Sequence, residues 1–504
     1  MPSRSRIPAT DNARMDPSDM ADPQDHRRFV VAIDQGTTAT KAHQLFRDGD
    51  FRPVTSVEHR QFYPQPGWVE HDPAELLANV RQCVALAQGA DAVALDNQGE
   101  TVVAWNADSG EPICNAIVWQ DNRTRAHLEH LQAEGAGALT LERAGLPLDP
   151  YFSASKLGWI LDHVPEARTL AKTGRLRLAT SDAFFLDRLC GSYATDVTTA
   201  SRTSLMNIAT GQWDPELCRL FGVPIDLLPP IVPTVHAHGT IRGTDLPMVA
   251  SVVDQQAALM GHGCQAPGDL KITFGTGAFA LAISGDSPVR DAAAGILPTV
   301  AWRIGGRTTY AIDGGVYNAG SALDWAMRLG LFSDFRELQN IGGPAALERG
   351  LVFVPALSGL ACPFWDRSAA GMWLGMGLET KATDLLQALL EGVALRTAQA
   401  VAALDRHLPL RAQVSVDGGL TRNPYFCEFL ARALDRTVVV PSTPDLTGLG
   451  CARFAFLGAG HGSLQTLPPM APPDRVVQPG APLSAESHAR FADAVSRTRG
   501  WHAA

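Results

Sequence analysis

The chain has 504 residues, of which 45% are hydrophobic and 19% are charged, a composition typical of a globular protein with two or three domains. Its 42 basic and 52 acidic side chains give a net charge of −10. That balance argues against binding nucleic acid through bulk positive charge, and against a basic surface for anionic membranes. The sequence has no uninterrupted apolar run of about 18 residues, so no transmembrane helix is expected.

The eight cysteines include no C-x-x-C pair, which argues against a zinc site and a disulfide framework. This usage is typical of a reducing compartment, and we expect a cytoplasmic protein. Residues 1–28 are polar, carry Pro, Arg and Asp, and lack the apolar segment of a signal peptide. We therefore predict a disordered N-terminal tail, with Met15 or Met20 as an alternative start of the chain.

The first structured segment predicted from the sequence is a hairpin. Residues 29–33 form an apolar run typical of a buried strand, and they lead into Asp34-Gln35-Gly36-Thr37-Thr38. A second strand over 39–46 has the spacing of a hairpin partner. A helix over 75–88 and a strand over 92–95 follow, and that strand leads into Asn97-Gln98-Gly99-Glu100-Thr101.

The same order of strand and glycine-bearing loop recurs in the second half. A strand over 270–274 leads into Gly275-Thr276-Gly277, and a strand over 413–416 leads into Asp417-Gly418-Gly419. A long amphipathic helix is predicted over 383–404. Strands that alternate with helices indicate an α/β fold. The two Gly-Thr loops suggest a duplication with a boundary near residue 250.

Strand-to-loop junctions of this kind are candidate phosphate sites. Glycine lets backbone N–H groups approach an anion, and threonine adds a hydroxyl donor. Asp34 could hold Mg²⁺ directly or through water, and Lys41 could reach a phosphate. An ordinary turn with a solvated aspartate remains the alternative for the first loop. The chain lacks G-x-x-x-x-G-K-[ST] and a G-x-G-x-x-G that opens a helix, which excludes a Walker-type NTPase and argues against a Rossmann dinucleotide site.

Two interpretations apply to Asp254, which follows an apolar stretch and precedes Gln255-Gln256-Ala257. Aspartate is favoured as a helix N-cap, and the residues after it are helix-prone. A carboxylate beside two amides could instead bind hydroxyl groups and accept a proton from an attacking alcohol. Both roles can coexist.

Several longer motifs resemble those of the FGGY carbohydrate kinases, in chain order from about residue 29 to 460. Besides the first phosphate loop, the similar segments are Gln65-Pro66-Gly67-Trp68-Val69-Glu70-His71-Asp72-Pro73, residues 115–124, residues 150–159 with Tyr151, Ser153, Lys156 and Trp159, residues 195–203, and Gly371-Met372-Trp373-Leu374-Gly375-Met376 with Asp384, Ala388 and Glu391.

This resemblance implies two actin-like ATPase domains, also described as ribonuclease H-like, with a cleft between them. We expect an N-terminal domain over 29–250, a C-terminal domain over 251–480, and a tail or helix over 481–504. ATP with Mg²⁺ and a small polyol or sugar would meet in the cleft, and closure would exclude water. The implied activity is transfer of the γ-phosphoryl group to a terminal hydroxyl of glycerol, giving glycerol 3-phosphate. A kinase for another small polyol or ketose and a non-catalytic nucleotide-gated sensor are the alternatives, and homo-oligomerisation is left open.

The resemblance also implies roles for individual residues. Asp254 would be the general base, and Asp34 the carboxylate on the Mg²⁺ side. The phosphates would face Thr37, Thr38, Lys41, Thr276 and Gly277, and the nucleotide would be bordered by Gly320, Gly419 and Asn423. The polyol hydroxyls would bind Glu100, Tyr151, Asp254 and Gln255, and the carbon chain would pack on Trp119 and Phe279.

Three features depart from the family members that act on glycerol. They carry Arg where this chain has Gly99, so we expect weak glycerol binding, a water or another side chain in that space, or a larger substrate. They have Gln near the adenine where this chain has Asp324, which could alter nucleotide affinity. The stretch Val235–Met248 is shorter than the regulatory loop of some members, which puts control through that loop in doubt.

Overall fold

The computed structural model describes residues 28–291 and 295–502, and the statements below refer to those residues. Except for Arg28, the predicted N-terminal tail lies outside them. The strands up to residue 253 are β1 Phe29–Gln35, β2 Ala39–Phe46, β3 Phe51–Glu58, β4 Glu70–His71, β5 Val93–Asn97, β6 Val102–Asn106, β7 Ala116–Ile117, β8 Leu176–Thr180, β9 Thr195–Asp196, β10 Met206–Asn207, β11 Gln212–Trp213, β12 Ile231–Val232, β13 Val235–Thr240 and β14 Pro247–Val253.

The remaining strands are β15 Leu270–Phe274, β16 Ala278–Gly285, β17 Leu297–Ile304, β18 Arg307–Val316, β19 Val352–Val354, β20 Met372–Leu374, β21 Gln413–Gly418, β22 Thr437–Val440 and β23 Arg475–Val477. The helices are α1 Pro73–Ala85, α2 Arg125–Ala133, α3 Gly137–Arg143, α4 Ser153–His163, α5 Pro165–Lys172, α6 Ser181–Cys190, α7 Val197–Ala200, α8 Pro215–Leu220, α9 Asp254–Gly261, α10 Gly320–Arg328, α11 Ala382–Asp405, α12 Pro424–Leu434, α13 Leu446–Gly458 and α14 Ala485–Thr498. Short 3₁₀ helices cover Ile225–Leu227, Phe335–Asn340, Gly419–Arg422 and Leu464–Thr466.

Two mixed sheets share one strand pattern. In the first sheet, the order is β13-β14-β5-β1-β2-β3, with β1, β2 and β3 antiparallel and β1, β5 and β14 parallel. In the second sheet, the order is β17-β18-β16-β15-β21-β22-β23, with β15, β16 and β18 antiparallel and β15, β21 and β22 parallel. The first hairpin of each sheet carries one of the two Gly-Thr loops. The repeated topology confirms the α/β class and the two actin-like halves.

The space between the two sheets is filled by a shared apolar core. Helices α9 and α13 supply Leu259, Met260 and Phe454, and these pack together with residues of both sheets, such as Val30 and Trp302. Each sheet also has a separate core on its other side. Because α9 begins at the end of β14, the shared core fixes the start of α9 relative to both sheets.

The sequence located most of these elements within a few residues. The strand over 270–274 and the long helix over 383–404 agree with β15 and α11, and residues 485–498 of the last segment form α14. Helix α1 is displaced from the predicted 75–88. It begins at Pro73, after the Asp72 N-cap, and it ends at Ala85, before the turn through Gly89, which has a φ of +82°. Among the helices that the structure describes, none combines the length and apolar character needed to span a bilayer.

Candidate active site

The two Gly-Thr loops lie near one cavity: the first contacts a tryptophan that lines it, and the second forms part of its wall. Trp119 Nε1 donates to Thr37 Oγ1 at 3.0 Å, so the first loop contacts the indole directly. Trp119 also lines a cavity of about 240 Å³, and Thr276 and Gly277 of the second loop lie on its wall. Thr38, at the tip of the first hairpin, is exposed. The hairpins from the two sheets therefore approach one site.

A tighter compartment of about 10 Å³ adjoins this cavity. The predicted hydroxyl-binding residues come together there, although they belong to distant segments: its lining includes Glu100, Tyr151, Asp254, Gln255 and Phe279. Tyr151 and Phe279 also line the larger cavity, which places them at the junction of the two spaces. The Tyr151 ring packs edge-on against Trp119, with ring centroids 5.6 Å apart.

Asp254 is the first residue of α9, so the prediction that it forms the N-cap was wrong. The N-cap is Val253, whose N–H donates to Thr198 Oγ1 at 2.9 Å. Asp254 Oδ1 accepts a hydrogen bond of 2.7 Å from the N–H of Gln255. Burial, followed by the charge of Glu100, raises the pKa of Asp254 to about 7. A carboxyl group with that pKa can accept a proton near neutral pH.

The buried ammonium of Lys271 organises the neighbouring amide. Lys271 Nζ donates to Gln255 Oε1 at 2.7 Å and to Thr273 Oγ1 at 3.0 Å. Since this bond occupies the amide oxygen, the amide N–H groups of Gln255 remain able to donate hydrogen bonds into the compartment. Burial lowers the pKa of Lys271, while nearby carboxylates oppose that effect.

A second buried lysine holds the turn that presents Tyr151. Lys156 Nζ donates to the carbonyl oxygens of Pro150, Tyr151 and Phe152 at 2.8, 2.8 and 3.0 Å. Burial lowers the pKa of Lys156 to about 8. The spacing of Tyr151 and Lys156 in the sequence motif thus has a structural cause: one turn of α4 places the ammonium beneath the loop.

Arg202 lies where the sequence analysis placed no functional residue. Its Nε donates to Glu100 Oε1 at 2.8 Å, and its Nη1 lies 3.5 Å from Asp313 Oδ2. A Cβ added to Gly99 would lie 2.8 Å from Val253 Cγ2. A side chain at position 99 would therefore collide with β14, and the guanidinium in this compartment comes from position 202 instead.

A separate cavity of about 560 Å³ lies behind the second loop. Its wall contains five of the predicted nucleotide-binding residues, Thr276, Gly320, Asp324, Gly419 and Asn423, whereas Gly277 lines the 240 Å³ cavity instead. A Cβ on Gly320 would lie 2.6 Å from the carbonyl oxygen of Gly275, whereas a Cβ on Gly419 would meet no atom within 4 Å. Backbone close to a cavity in this way suits the phosphates and ribose of a nucleotide.

The side chain of Asn423 joins two elements of this wall. Its amide nitrogen donates to the Leu338 carbonyl at 2.8 Å, and its amide oxygen accepts from the N–H of Phe426 at 2.9 Å. The side chain therefore caps α12 and holds the 3₁₀ helix Phe335–Asn340 against the cavity.

Carboxylates and one lysine form the polar end of the first hairpin. Lys41 Nζ lies 2.7 Å from Asp445 Oδ2 and 3.7 Å from Asp34 Oδ2. Burial, followed by the charge of Asp445, raises the pKa of Asp34. Burial alone would raise the pKa of Asp445, but hydrogen bonds from His43 and Lys41 hold it below its ordinary value.

The oxygen ligands at this position fit Mg²⁺, which commonly takes one or two protein carboxylates and completes its shell with water and phosphate oxygens. Asp34 and Asp96 lie side by side on the parallel strands β1 and β5. Both are buried, and neither carboxylate oxygen of Asp96 has a hydrogen-bond partner. Within the described ranges, no group of three or more His, Cys, Asp or Glu side chains could hold a metal ion by itself.

Comparison with known proteins defines the class to which this fold and site belong. Residues 29–261 match the N-terminal domain of the FGGY family of carbohydrate kinases, and residues 270–459 match its C-terminal domain. The chain belongs to the FGGY family of carbohydrate kinases.

Relatives within that family include several glycerol kinases. The chain is 39% identical to the glycerol kinase of Rhizorhabdus wittichii, over 94% of this chain and 97% of that protein. It is 40% identical to the glycerol kinase of Rhodospirillum centenum, over 94% and 98%. The crystal structure of Plasmodium falciparum glycerol kinase with ADP is 28% identical, with a TM-score of 0.85 over 94% of this chain and 98% of that one. Xylulose kinase from Rhodospirillum rubrum is 26% identical, with a TM-score of 0.80 over 93% and 98%. The enzyme is a glycerol kinase-like phosphotransferase.

Residues that the sequence analysis missed support the predicted ones from distant segments. They are Asp96, Lys156, Arg202, Lys271, Asp313 and Asp445. Lys156 and Arg202 lie in the family-like segments 150–159 and 195–203, and Lys156 could have been found from its spacing to Tyr151. For Lys271, Asp313 and Asp445 no local pattern signals a role, since each reaches the site through the pairing of strands or the packing of α13.

Proposed function

We propose that this enzyme transfers the γ-phosphoryl group of ATP to a terminal hydroxyl of glycerol and produces glycerol 3-phosphate. The observation that carries the proposal is the compartment around Asp254, where a carboxylate with a pKa of about 7 lies among Glu100, Tyr151 and Gln255, next to the second phosphate loop. The glycerol kinases among its relatives support the same acceptor.

In the proposed reaction, Asp254 accepts the proton of the terminal hydroxyl. The oxygen attacks the γ-phosphorus, the bond between that phosphorus and the bridging oxygen breaks, and ADP leaves. Tyr151 and the amide N–H groups of Gln255 orient the acceptor, and Trp119 and Phe279 cover its carbon atoms. Phosphoryl transfer depends mainly on such positioning and on stabilisation of charge.

The two hairpin loops hold the phosphates in this proposal. The N–H and hydroxyl groups of Thr37, Thr38, Thr276 and Gly277 face the β- and γ-phosphates, and Lys41 adds positive charge. Asp34 and Asp96 would hold Mg²⁺, which neutralises charge on the phosphate oxygens when it is bound. The adenosine part occupies the cavity lined by Gly320, Asp324 and Gly419. The free thiols of all eight cysteines support a reducing, cytoplasmic setting.

A second candidate acceptor is a larger polyol or ketose. A cavity of about 240 Å³ lies next to the Asp254 compartment, which itself has only about 10 Å³. Its outer wall includes Tyr317, Trp365 and an Arg367–Asp149 ion pair at 2.7 Å. Longer substrates could extend into that space.

Purified protein should be tested with ATP, Mg²⁺ and a panel of three- to six-carbon polyols and ketoses. ADP release is followed by a coupled assay, and the product is identified by ³¹P NMR. We expect the highest kcat/KM with glycerol and a product with the spectrum of glycerol 3-phosphate. A higher kcat/KM for a longer polyol would establish the second candidate, and a lack of turnover with every member of the panel would contradict both.

A further inference from the structure

The compartment around Asp254 contains an ion pair with an unused acceptor. Arg202 follows α7 and Asp313 lies in β18, where it pairs in register with Leu281. Both side chains are buried. The Arg202 Nε–H bond to Glu100 and the approach of Arg202 to Asp313 Oδ2 leave Asp313 Oδ1 buried with no hydrogen-bond partner. A buried carboxylate oxygen without a partner is costly, so its position indicates a missing donor.

The location of the pair points to the donor. Arg202 and Asp313 line both the tight compartment and the 240 Å³ cavity, and they share this position with Tyr151 and Phe279. An acceptor whose terminal hydroxyl reaches Asp254 must therefore extend its remaining atoms past Arg202 and Asp313.

The chemistry of the pair matches adjacent hydroxyl groups. A guanidinium only donates hydrogen bonds and an ionised carboxylate only accepts them, whereas each alcohol can do both. Position 99 offers no alternative, because a side chain there would meet Val253. The guanidinium that can donate to the far hydroxyls is therefore that of Arg202, which lines the compartment.

We propose that Arg202 and Asp313 determine acceptor specificity by binding the two hydroxyl groups that are not phosphorylated, so that the enzyme selects a vicinal diol next to the reacting carbon. The inference rests on the proposed function, since it assumes that the acceptor is a polyol. In glycerol the two groups are the central hydroxyl and the far terminal hydroxyl.

The test compares glycerol with two analogues that each lack one of these hydroxyls, 1,3-propanediol and 1,2-propanediol. The wild type, Asp313→Asn and Arg202→Lys are assayed with each at saturating ATP and Mg²⁺. For Asp313→Asn we expect kcat/KM with glycerol to fall about 10- to 150-fold, the value of a hydrogen bond to a charged group. With the analogue that lacks the hydroxyl bound by Asp313, the same substitution should change kcat/KM less than about threefold.

Arg202→Lys keeps the charge but loses the forked donors, so it should show the same selective pattern toward one analogue. Asp245→Asn, at an exposed position in the β13–β14 turn, is the matched control and should change none of the values. Unchanged Tm and KM for ATP would show that the variants are folded.

Two results would overturn the inference alone: equal losses with glycerol and both analogues, or no loss with glycerol. A wild type that neither phosphorylates nor binds glycerol, its analogues or longer polyols, measured by calorimetry, would overturn the proposed function together with the inference.

Discussion

The reactivity of the site depends on the balance of charges around one carboxyl group. Burial and the nearby Glu100 raise the pKa of Asp254, whereas the positive charge of Lys271 and the N–H of Gln255 lower it. Burial and the charge of Glu100 make the Asp254 carboxylate a stronger base, whereas Lys271 and the N–H of Gln255 keep it ionised near neutral pH. Lys271 also fixes the Gln255 amide, so one side chain influences both the proposed base and the amide proposed to bind the acceptor.

Replacement Lys271→Met should therefore change the pH dependence of the reaction. Removing the positive charge raises the pKa of Asp254, and the role of base proposed for Asp254 requires it to be deprotonated. The acidic limb of the pH profile of kcat/KM for glycerol should move to higher pH, with a loss of up to about tenfold below pH 7, because one pKa unit corresponds to a tenfold change. Initial rates at saturating ATP between pH 5.5 and pH 9 give the pH at which the acidic limb falls.

In the conservative variant Lys271→Arg, the acidic limb should lie closer to its wild-type pH than in Lys271→Met. Lys172→Met, at an exposed position of α5, should leave the limb at its wild-type pH. A limb that stays in the wild-type position in Lys271→Met would show that Lys271 has only a structural role.

Motifs predicted the residues that have a local signature, and they could not predict the rest. Glu100 and Tyr151 stand in recognisable segments, and the structure places both in the compartment around Asp254. Arg202 lies 102 residues from its partner Glu100, and Lys271 reaches Gln255 across the start of β15. These contacts depend on tertiary packing, which a pattern read along the chain does not contain.

At the scale of elements, loops in the second half need glycine where backbone segments cross. Helix α10 begins at Gly320 directly above the loop after β15. The Cβ of any other residue there would lie 2.6 Å from the Gly275 carbonyl oxygen. This close contact holds the start of α10 beside the cavity of about 560 Å³ that is proposed to bind the nucleotide.

Replacement Gly320→Ala should push the α10 start away from the phosphate loop. We expect KM for ATP to rise about tenfold or more, equivalent to about 1.4 kcal/mol of binding energy, while KM for the polyol changes little. Overpacking of this kind costs about 1–3 kcal/mol of stability, so Tm should also fall. Steady-state kinetics and thermal unfolding measure the two effects.

Gly342→Ala is the matched control, because its Cβ would meet no atom within 4 Å and its φ is not positive. It should leave both KM values and Tm unchanged. An increase in polyol KM alone for Gly320→Ala would place Gly320 outside the nucleotide site.

The elements also show where sequence patterns are reliable. The period of apolar residues located α11 to within one residue at each end, since a long helix with one buried face has a strong signal. The interpretation of Asp254 as the N-cap of α9 was wrong by one position, because the cap and the first helical turn favour the same residue types and only the backbone distinguishes them.

At the scale of the whole molecule, two sheets with one topology meet through α9 and α13. Their side chains form a continuous core with both sheets. Trp119, which contacts the first Gly-Thr loop, lines one cavity together with Thr276 and Gly277 of the second loop. The duplication was visible in the sequence as two Gly-Thr loops. The packing of α13, from the C-terminal part of the chain, against β1 and β2 was not visible in the sequence. Its apolar residues predict that it is buried but do not indicate which strands it packs against.

Ligands that bind to both walls should bring the walls together. With ATP, Mg²⁺ and glycerol all bound to the inactive variant Asp254→Asn, we expect a smaller radius of gyration by small-angle X-ray scattering than with no ligand. Glycerol alone should produce little change, because it does not bridge to the nucleotide. An unchanged radius under all conditions would contradict closure of the cleft.

Asp254→Asn provides the decisive measurement, because asparagine keeps the size of the side chain but cannot accept the hydroxyl proton. ADP and glycerol 3-phosphate formed in a single turnover are quantified, and ATP affinity is measured in parallel. We expect the rate of phosphoryl transfer to fall about 10²- to 10⁴-fold while the Kd for ATP stays within about threefold. A variant that transfers phosphate to glycerol at the wild-type rate would show that Asp254 is not the base.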